Sequence, residues 1–420
     1  MKKGMALLLT SLCAGAMVVA LSPNEAEAAH RRIITDAPKA VAAKETKSAE
    51  VKQESKAEES SEKKQETTVP AKEEQAESVQ KKIEIRATDY LCFQSQTYTY
   101  GEFQKDIDSL QKSLKTAVRV DELGQTVDGN KLYDIRVGNP NAKHHLLVFG
   151  GIHAREYMTS QLVMRQLVQL LSDQGANATF EGVELSKLLE TTEVHIIPMA
   201  NPDGISISQS GLGGVHSEAV KKQIGQIAKA DKKKLSASYL QQWKSNANGV
   251  DLNQNFDALW ENYQDHLGHR SADHYKGTAP ESEIESKALA DLTRKVKFDA
   301  TISYHTQGQV IYWNFGQKGA LKDMTLNFAD KARQRTGYRI DGNFQSLDTA
   351  GYKDWAIMKM GIPSLTIEVG SGGNPVSPSQ MEAVWNQNKE IVPMTLKMIA
   401  DGQLHQQSSL INKKWRRTPS

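Results

Sequence analysis

Short apolar runs and longer amphipathic stretches take turns along most of this chain. Leu146-Leu147-Val148-Phe149 ends at Gly150-Gly151, and Val194-His195-Ile196-Ile197 ends at Pro198. Ala300-Thr301-Ile302-Ser303-Tyr304 and Ser364-Leu365-Thr366-Ile367 are two more such runs. Four or five apolar positions closed by a breaker predict buried strands. Between the first two, Leu162, Val163, Leu167, Val168 and Leu171 recur at helical spacing. The same spacing predicts helices over FQKDIDSLQKSL, Glu281–Lys295 and Gln380–Ala400. Strands alternating with helices imply an α/β sheet covered on both faces. In that architecture ligands sit beyond the carboxyl ends of the strands.

The amino-terminal fifth breaks the pattern, because no aromatic residue precedes Tyr90. Lys2 and Lys3 lead into an apolar run from Met5 to Leu21, followed by Ala26-Glu27-Ala28. This reads as a secretory signal peptide, residues 1–28, cut after Ala28. The run falls short of the roughly 20 apolar residues of a membrane span, so no stable span is expected. Residues 29–83 read as a disordered charged linker. Between Asp36 and Ile83 lie ten Lys, ten Glu and one Asp, too little apolar surface to offset the entropy of ordering. Residues 84–405 then form one domain, and 406–420 a basic tail containing Lys413, Lys414, Arg416 and Arg417. Of two cysteines, only Cys92 survives signal removal, so no internal disulfide forms. That suits an exported bacterial protein, of Gram-positive type and extracellular or wall-associated. A net charge of +2, from 52 Lys+Arg against 50 Asp+Glu, argues against a nucleic-acid partner. A monomer is expected.

Chemistry gathers where the strands end. His153 and Glu156 follow the first apolar run and form the sole His-x-x-Glu in the chain. On a helical turn, side chains three apart project to one side. Imidazole and carboxylate are good zinc ligands, and a catalytic zinc needs a third. His305, directly after the ATISY strand, supplies it. Glu368 closes another apolar strand, where a carboxylate needs a partner or a task. Near a metal it can take a proton from water. The chain has no His-Glu-x-x-His, no Gly-x-Ser-x-Gly, no Gly-x-x-x-x-Gly-Lys and no Cys-x-x-Cys.

These residues sit within GGIHARE (150–156), IIPMANPDG (196–204), GVDLNQNFD (249–257), SYH (303–305), GYKDW (351–355) and TIEVG (366–370). In that order the set resembles the zinc metallocarboxypeptidases, and in particular their bacterial γ-D-glutamyl-diamino-acid peptidase branch. The resemblance covers about residues 90–400. It implies an α/β/α sandwich around a mixed, mostly parallel eight-stranded sheet, and one Zn²⁺ per chain. It implies that His153, Glu156 and His305 bind the metal, that Glu368 is the general base, and that Asp251 orients the first zinc histidine. Arg155 matches a substrate-contacting arginine, and Asn253 one half of a pair that grips a terminal carboxylate.

Gln254 stands where the family's carboxylate-gripping arginine belongs. A neutral amide cannot replace that bidentate clamp. The oxyanion arginine has no evident match either, and Lys244 is the candidate replacement. The family's tyrosine position falls on Ser346. Lys353 falls where the family lines its specificity pocket. These departures suit a peptidase of peptidoglycan stem peptides better than a general carboxypeptidase. A peptide-binding pseudo-enzyme is the reading from another class.

Overall fold

A computed structural model describes residues 97–114, 117–343 and 349–407. The expected signal peptide and linker lie outside those residues, as do Ser346 and positions 408–420 of the tail.

Thr99 opens the first helix, α1 (Tyr100–Ser113). Its hydroxyl accepts from Glu102 N–H at 3.3 Å, and Glu102 Oε2 accepts from Thr99 N–H at 2.7 Å. This reciprocal cap satisfies two otherwise orphaned donors. Next come β1 (Val118–Gln125), β2 (Lys131–Val137), β3 (His144–Phe149), α2 (Met158–Gly175), β4 (Thr179–Phe180), β5 (Val183–Glu184) and α3 (Leu185–Thr191). The middle holds β6 (Thr192–Ile197), α4 (Pro202–Ser210), α5 (Glu218–Ala230), α6 (Ala237–Gln241) and α7 (Ile284–Val296). Then follow β7 (Ala300–Thr306), β8 (Val310–Tyr312), α8 (Ala320–Thr336), β9 (Arg339–Asp341), α9 (Tyr352–Met360), β10 (Ser364–Val369), α10 (Met381–Asn388) and α11 (Ile391–Ala400).

Eight of these strands form one mixed sheet in the order β1-β2-β6-β3-β7-β10-β8-β9. The centre, β6-β3-β7-β10, is parallel throughout. Successive side chains of a strand face opposite ways, and β3 shows where each face leads. Leu146 and Val148 join a core with Leu162 and Leu167 of α2 and Leu396 of α11. Leu147 and Phe149 join a second core with Leu289 of α7 and Trp355 of α9. The expected α/β/α sandwich is therefore present. Burial on both sides explains why the central strands read as continuous apolar runs.

Two expectations need correction. Gln380–Ala400 is not one helix but α10 and α11, broken at Lys389 and Glu390. Pro393 has no N–H to bond the carbonyl four residues back, and its ring crowds that carbonyl, so the helix restarts with Pro393 in its first turn. His305 does not follow its strand; β7 continues through it to Thr306. Among the described residues no helix is long and apolar enough to cross a membrane.

Candidate active site

β3, β7 and β10 are parallel neighbours, so their carboxyl ends share one edge of the sheet. After Phe149 the chain turns through Gly150 and Gly151 beneath the start of α2. A Cβ on Gly150 would lie 2.8 Å from the Thr159 carbonyl oxygen. Gly151 has φ +66°, and its Cβ would lie 2.5 Å from Ser160 Oγ. Only glycine permits this approach. Thr159 Oγ1 accepts from Gly151 N–H at 2.8 Å, and the Asn201 amide donates to the Ile152 carbonyl at 3.0 Å. The loop so pinned delivers His153. This residue is extended, and Ala154–Glu156 make a single 3₁₀ turn after it. The pair is thus less helical than its spacing suggests, yet both side chains still meet.

His153 Nδ1 lies 2.9 Å from Glu156 Oε1, and His305 Nδ1 lies 3.2 Å from Glu156 Oε2. The two Nδ1 atoms are 3.1 Å apart. All three side chains are buried. Tetrahedral zinc with ligands at about 2.0–2.1 Å sets donors about 3.3 Å apart. The observed separations fit that spacing, and two imidazole nitrogens facing each other across a carboxylate are better served by a cation than by a proton. The donor set can therefore hold one metal ion. Thr306 N–H donates to Glu156 Oε2 at 3.1 Å, fixing the carboxylate from the adjacent strand.

Behind His153 stands Asp251, fully shielded, with Oδ1 3.2 Å from His153 Nε2. Burial opposes its charge, but Lys244 and His153 hold its carboxyl well below the usual range. Burial likewise disfavours the His153 cation. Glu156 and Asp251 outweigh burial and Lys244 and push its pKa up to about 9. Lys244 Nζ lies 2.8 Å from Asp251 Oδ2 and 3.6 Å from Asp273 Oδ1. Arg155 pairs with the same Asp273 at 3.1 Å and donates to the Gln242 carbonyl at 3.1 Å.

Beside the trio opens a pocket of about 320 Å³. Glu368 lines it, and its Cα pairs in register with that of His305. Asn253, Gln254 and Lys353 line it as well. Asn253 Oδ1 accepts from Tyr352 N–H at 3.1 Å, which turns its amide toward the start of α9. Lys353 is not a solvent-facing lysine. Its ammonium pairs with Asp354, approaches the Asn314 carbonyl at 3.4 Å and lies 5.4 Å from the Phe315 ring. Two of the four expected substrate contacts thus reach this pocket. Arg155 and Lys244 do not line it: Arg155 is paired with Asp273, and Lys244 with Asp251 and, more loosely, with Asp273. Asp273 itself escaped the sequence reading, as did Tyr312, Asn314 and Asp341 on the pocket wall. None of the four falls within one of the motifs that carry the resemblance.

The zinc carboxypeptidase family profile matches residues 103–391. The γ-D-glutamyl-L-diamino acid endopeptidase 1 of Lysinibacillus sphaericus is 31% identical over 304 residues, 72% of this chain and 73% of that protein. Carboxypeptidase A2 of Mus musculus is 25% identical over 244 residues, 58% of this chain and 52% of that protein. In fold, the chain resembles bovine thrombin-activatable fibrinolysis inhibitor, solved with a tick carboxypeptidase inhibitor. The TM-score is 0.56 at 20% identity, over 73% of this chain and 98% of that one. Carboxypeptidase A from Helicoverpa armigera gives 0.56 at 18% identity, over 78% and 81%.

Proposed function

We propose that this chain, which belongs to the zinc carboxypeptidase family and is a zinc peptidase, hydrolyses γ-D-glutamyl-diamino-acid bonds of peptidoglycan stem peptides outside the cell. The observation that carries this reading is the charge pattern of the pocket. Lys353 stands there with Asp341, Asp354 and Glu368, and Gln254 replaces the arginine that would grip a plain terminal carboxylate. A diamino acid brings a side-chain ammonium, and meso-diaminopimelate adds a carboxylate beside it. Asp341 complements the ammonium and Lys353 the carboxylate. The relative from Lysinibacillus sphaericus, named for the same bond, supports the assignment.

His153, Glu156 and His305 hold the metal in this reading. Zinc held there supplies Lewis acidity, polarising the scissile carbonyl and making water easier to deprotonate. Glu368 takes the proton from the attacking water and returns it to the leaving amine. Asp251, with Oδ1 3.2 Å from His153 Nε2, favours a proton on that nitrogen, so that Nδ1 keeps its lone pair for the metal. Asn253, braced by Tyr352 N–H, offers its amide to the substrate. Residues 1–28 direct export, and 29–83 tether the domain.

The test compares L-alanyl-γ-D-glutamyl-meso-diaminopimelate with an ordinary peptide bearing a free C-terminal residue. The expected kcat/KM ratio is roughly 10²-fold or more in favour of the γ-linked substrate. Preference for the ordinary peptide identifies a general carboxypeptidase, and cleavage of neither by zinc-loaded protein a binding module.

A further inference from the structure

A second His/Glu/His cluster lies toward the opposite end of β3 and on its neighbour β6. His145 is the second residue of β3, and its Cα pairs in register with that of Glu193 on β6. Residues two apart on a strand share a face, so Glu193 and His195 project to the side that His145 occupies. Glu193 Oε2 lies 3.5 Å from His145 Nδ1 and 3.5 Å from His195 Nε2. Neither imidazole nitrogen has a hydrogen-bond partner, although both atoms are buried. The three donor atoms lie within 4.8 Å of one another.

What surrounds the cluster fits a ligand set. His195 Nδ1 lies 2.7 Å from Asp134 Oδ2, which favours a proton on Nδ1, so that in the neutral ring the Nε2 lone pair is turned toward the cluster. Arg119 donates to Glu193 Oε1 at 2.8 Å, and Arg136 approaches it at 3.5 Å. The arginines hold one carboxylate oxygen and turn the other to the imidazoles. Phe298 packs edge-on against the His195 ring at 5.0 Å. Asp299 Oδ2 accepts from His145 N–H at 2.9 Å, which pins the start of β3. The His195 side chain is 3% exposed and that of His145 21%, so the cluster opens to water on the His145 side. Tetrahedral zinc sets its donors about 3.3 Å apart; the carboxylate oxygen lies 3.5 Å from each imidazole nitrogen, and all three donors fall within 4.8 Å, close enough to converge on one ion with a position left for water.

We propose that His145, Glu193 and His195 form a second zinc-class metal site, separate from the catalytic trio, that clamps β3 to β6 at their amino ends. Imidazole and carboxylate ligands select Zn²⁺ and neighbouring transition ions over Mg²⁺ or Ca²⁺.

The experiment counts metal per folded chain after dialysis against buffered micromolar Zn²⁺, and follows the visible bands of the Co²⁺-loaded protein. Wild type should hold about two equivalents. His305→Ala should lose the catalytic ion and keep about one, with a tetrahedral cobalt band. His145→Ala should also keep about one, and His145→Ala combined with His305→Ala should hold none. His145 is partly exposed, so its removal is the mildest perturbation; far-UV circular dichroism confirms folding. One equivalent in wild type, or identical content in His305→Ala with and without His145→Ala, overturns the proposal. These readouts do not depend on which peptide the enzyme cleaves.

Discussion

Lys244 and Asp251 form an ion pair of 2.8 Å on the far side of the metal trio, with Asp251 entirely removed from solvent. The cation that the sequence offers for the substrate is committed to the carboxylate that steers His153. Breaking a buried pair from one side strands the other charge, at a cost of about 3–5 kcal/mol. Lys244→Met should therefore lower unfolding stability by that order, read from urea denaturation. Asp251→Asn should weaken metal affinity at the trio by roughly 10–100-fold, read by competition with a chromophoric chelator. An unchanged affinity would remove Asp251 from the site.

Glu368→Gln keeps the shape of the side chain and removes its basicity. The kcat should fall by roughly 10²–10⁴-fold, with zinc content equal to wild type. Turnover matching wild type assigns the base elsewhere.

Among the described residues, Lys353 is the one cation on the pocket wall. Lys353→Gln should raise KM about tenfold for a substrate ending in meso-diaminopimelate. A substrate with lysine at that position lacks the second carboxylate and should lose less. Equal losses for both would show that Lys353 only neutralises Asp354.

Glu285 is buried on α7, and burial, with Asp203 and Glu283 nearby, pushes its pKa up to about 8. An unfolded glutamate titrates near 4.3. Between those values the folded chain holds a proton that the unfolded chain has released. Through this group alone the native state is therefore favoured most below about pH 4.3, and that contribution shrinks by about 1.4 kcal/mol per pH unit as the pH climbs toward 8. Glu285→Gln should remove that slope, gaining stability at pH 8 and changing little at pH 4.5. Parallel stability–pH curves for the two proteins would contradict it.

A chain beginning at residue 84 should keep its cooperative melting transition and its metal, because residues 29–83 lack the apolar surface to join a core. Export should leave Ala29 as the new amino terminus, read by mass spectrometry. Loss of cooperative melting on truncation would make the linker part of the domain.

His153, Glu156, His305 and Glu368 were legible in the linear chain. Metal and proton chemistry restricts the residue types, and the apolar runs ending at Phe149, Tyr304 and Ile367 marked where a site belongs. The three-layer architecture was legible for the same reason, since strands buried on both faces lose their alternation. β8 and β9 were not, because three residues such as Val310–Tyr312 carry too little pattern. Nor was the break before α11, where Pro393 overrides a helical period that runs through it. Asp273 lies 22 positions from Asp251, and only folding brings Lys244 and Arg155 to it. His145, Glu193 and His195 are the same case. As a sequence they are two strand residues and a distant histidine, and the parallel register of β3 against β6 alone decides that they face one another. Local chemistry and periodicity are written along the chain. Which charges neutralise each other, and which imidazoles share a carboxylate, is set by strand pairing and burial, which bring together residues that the linear order keeps apart.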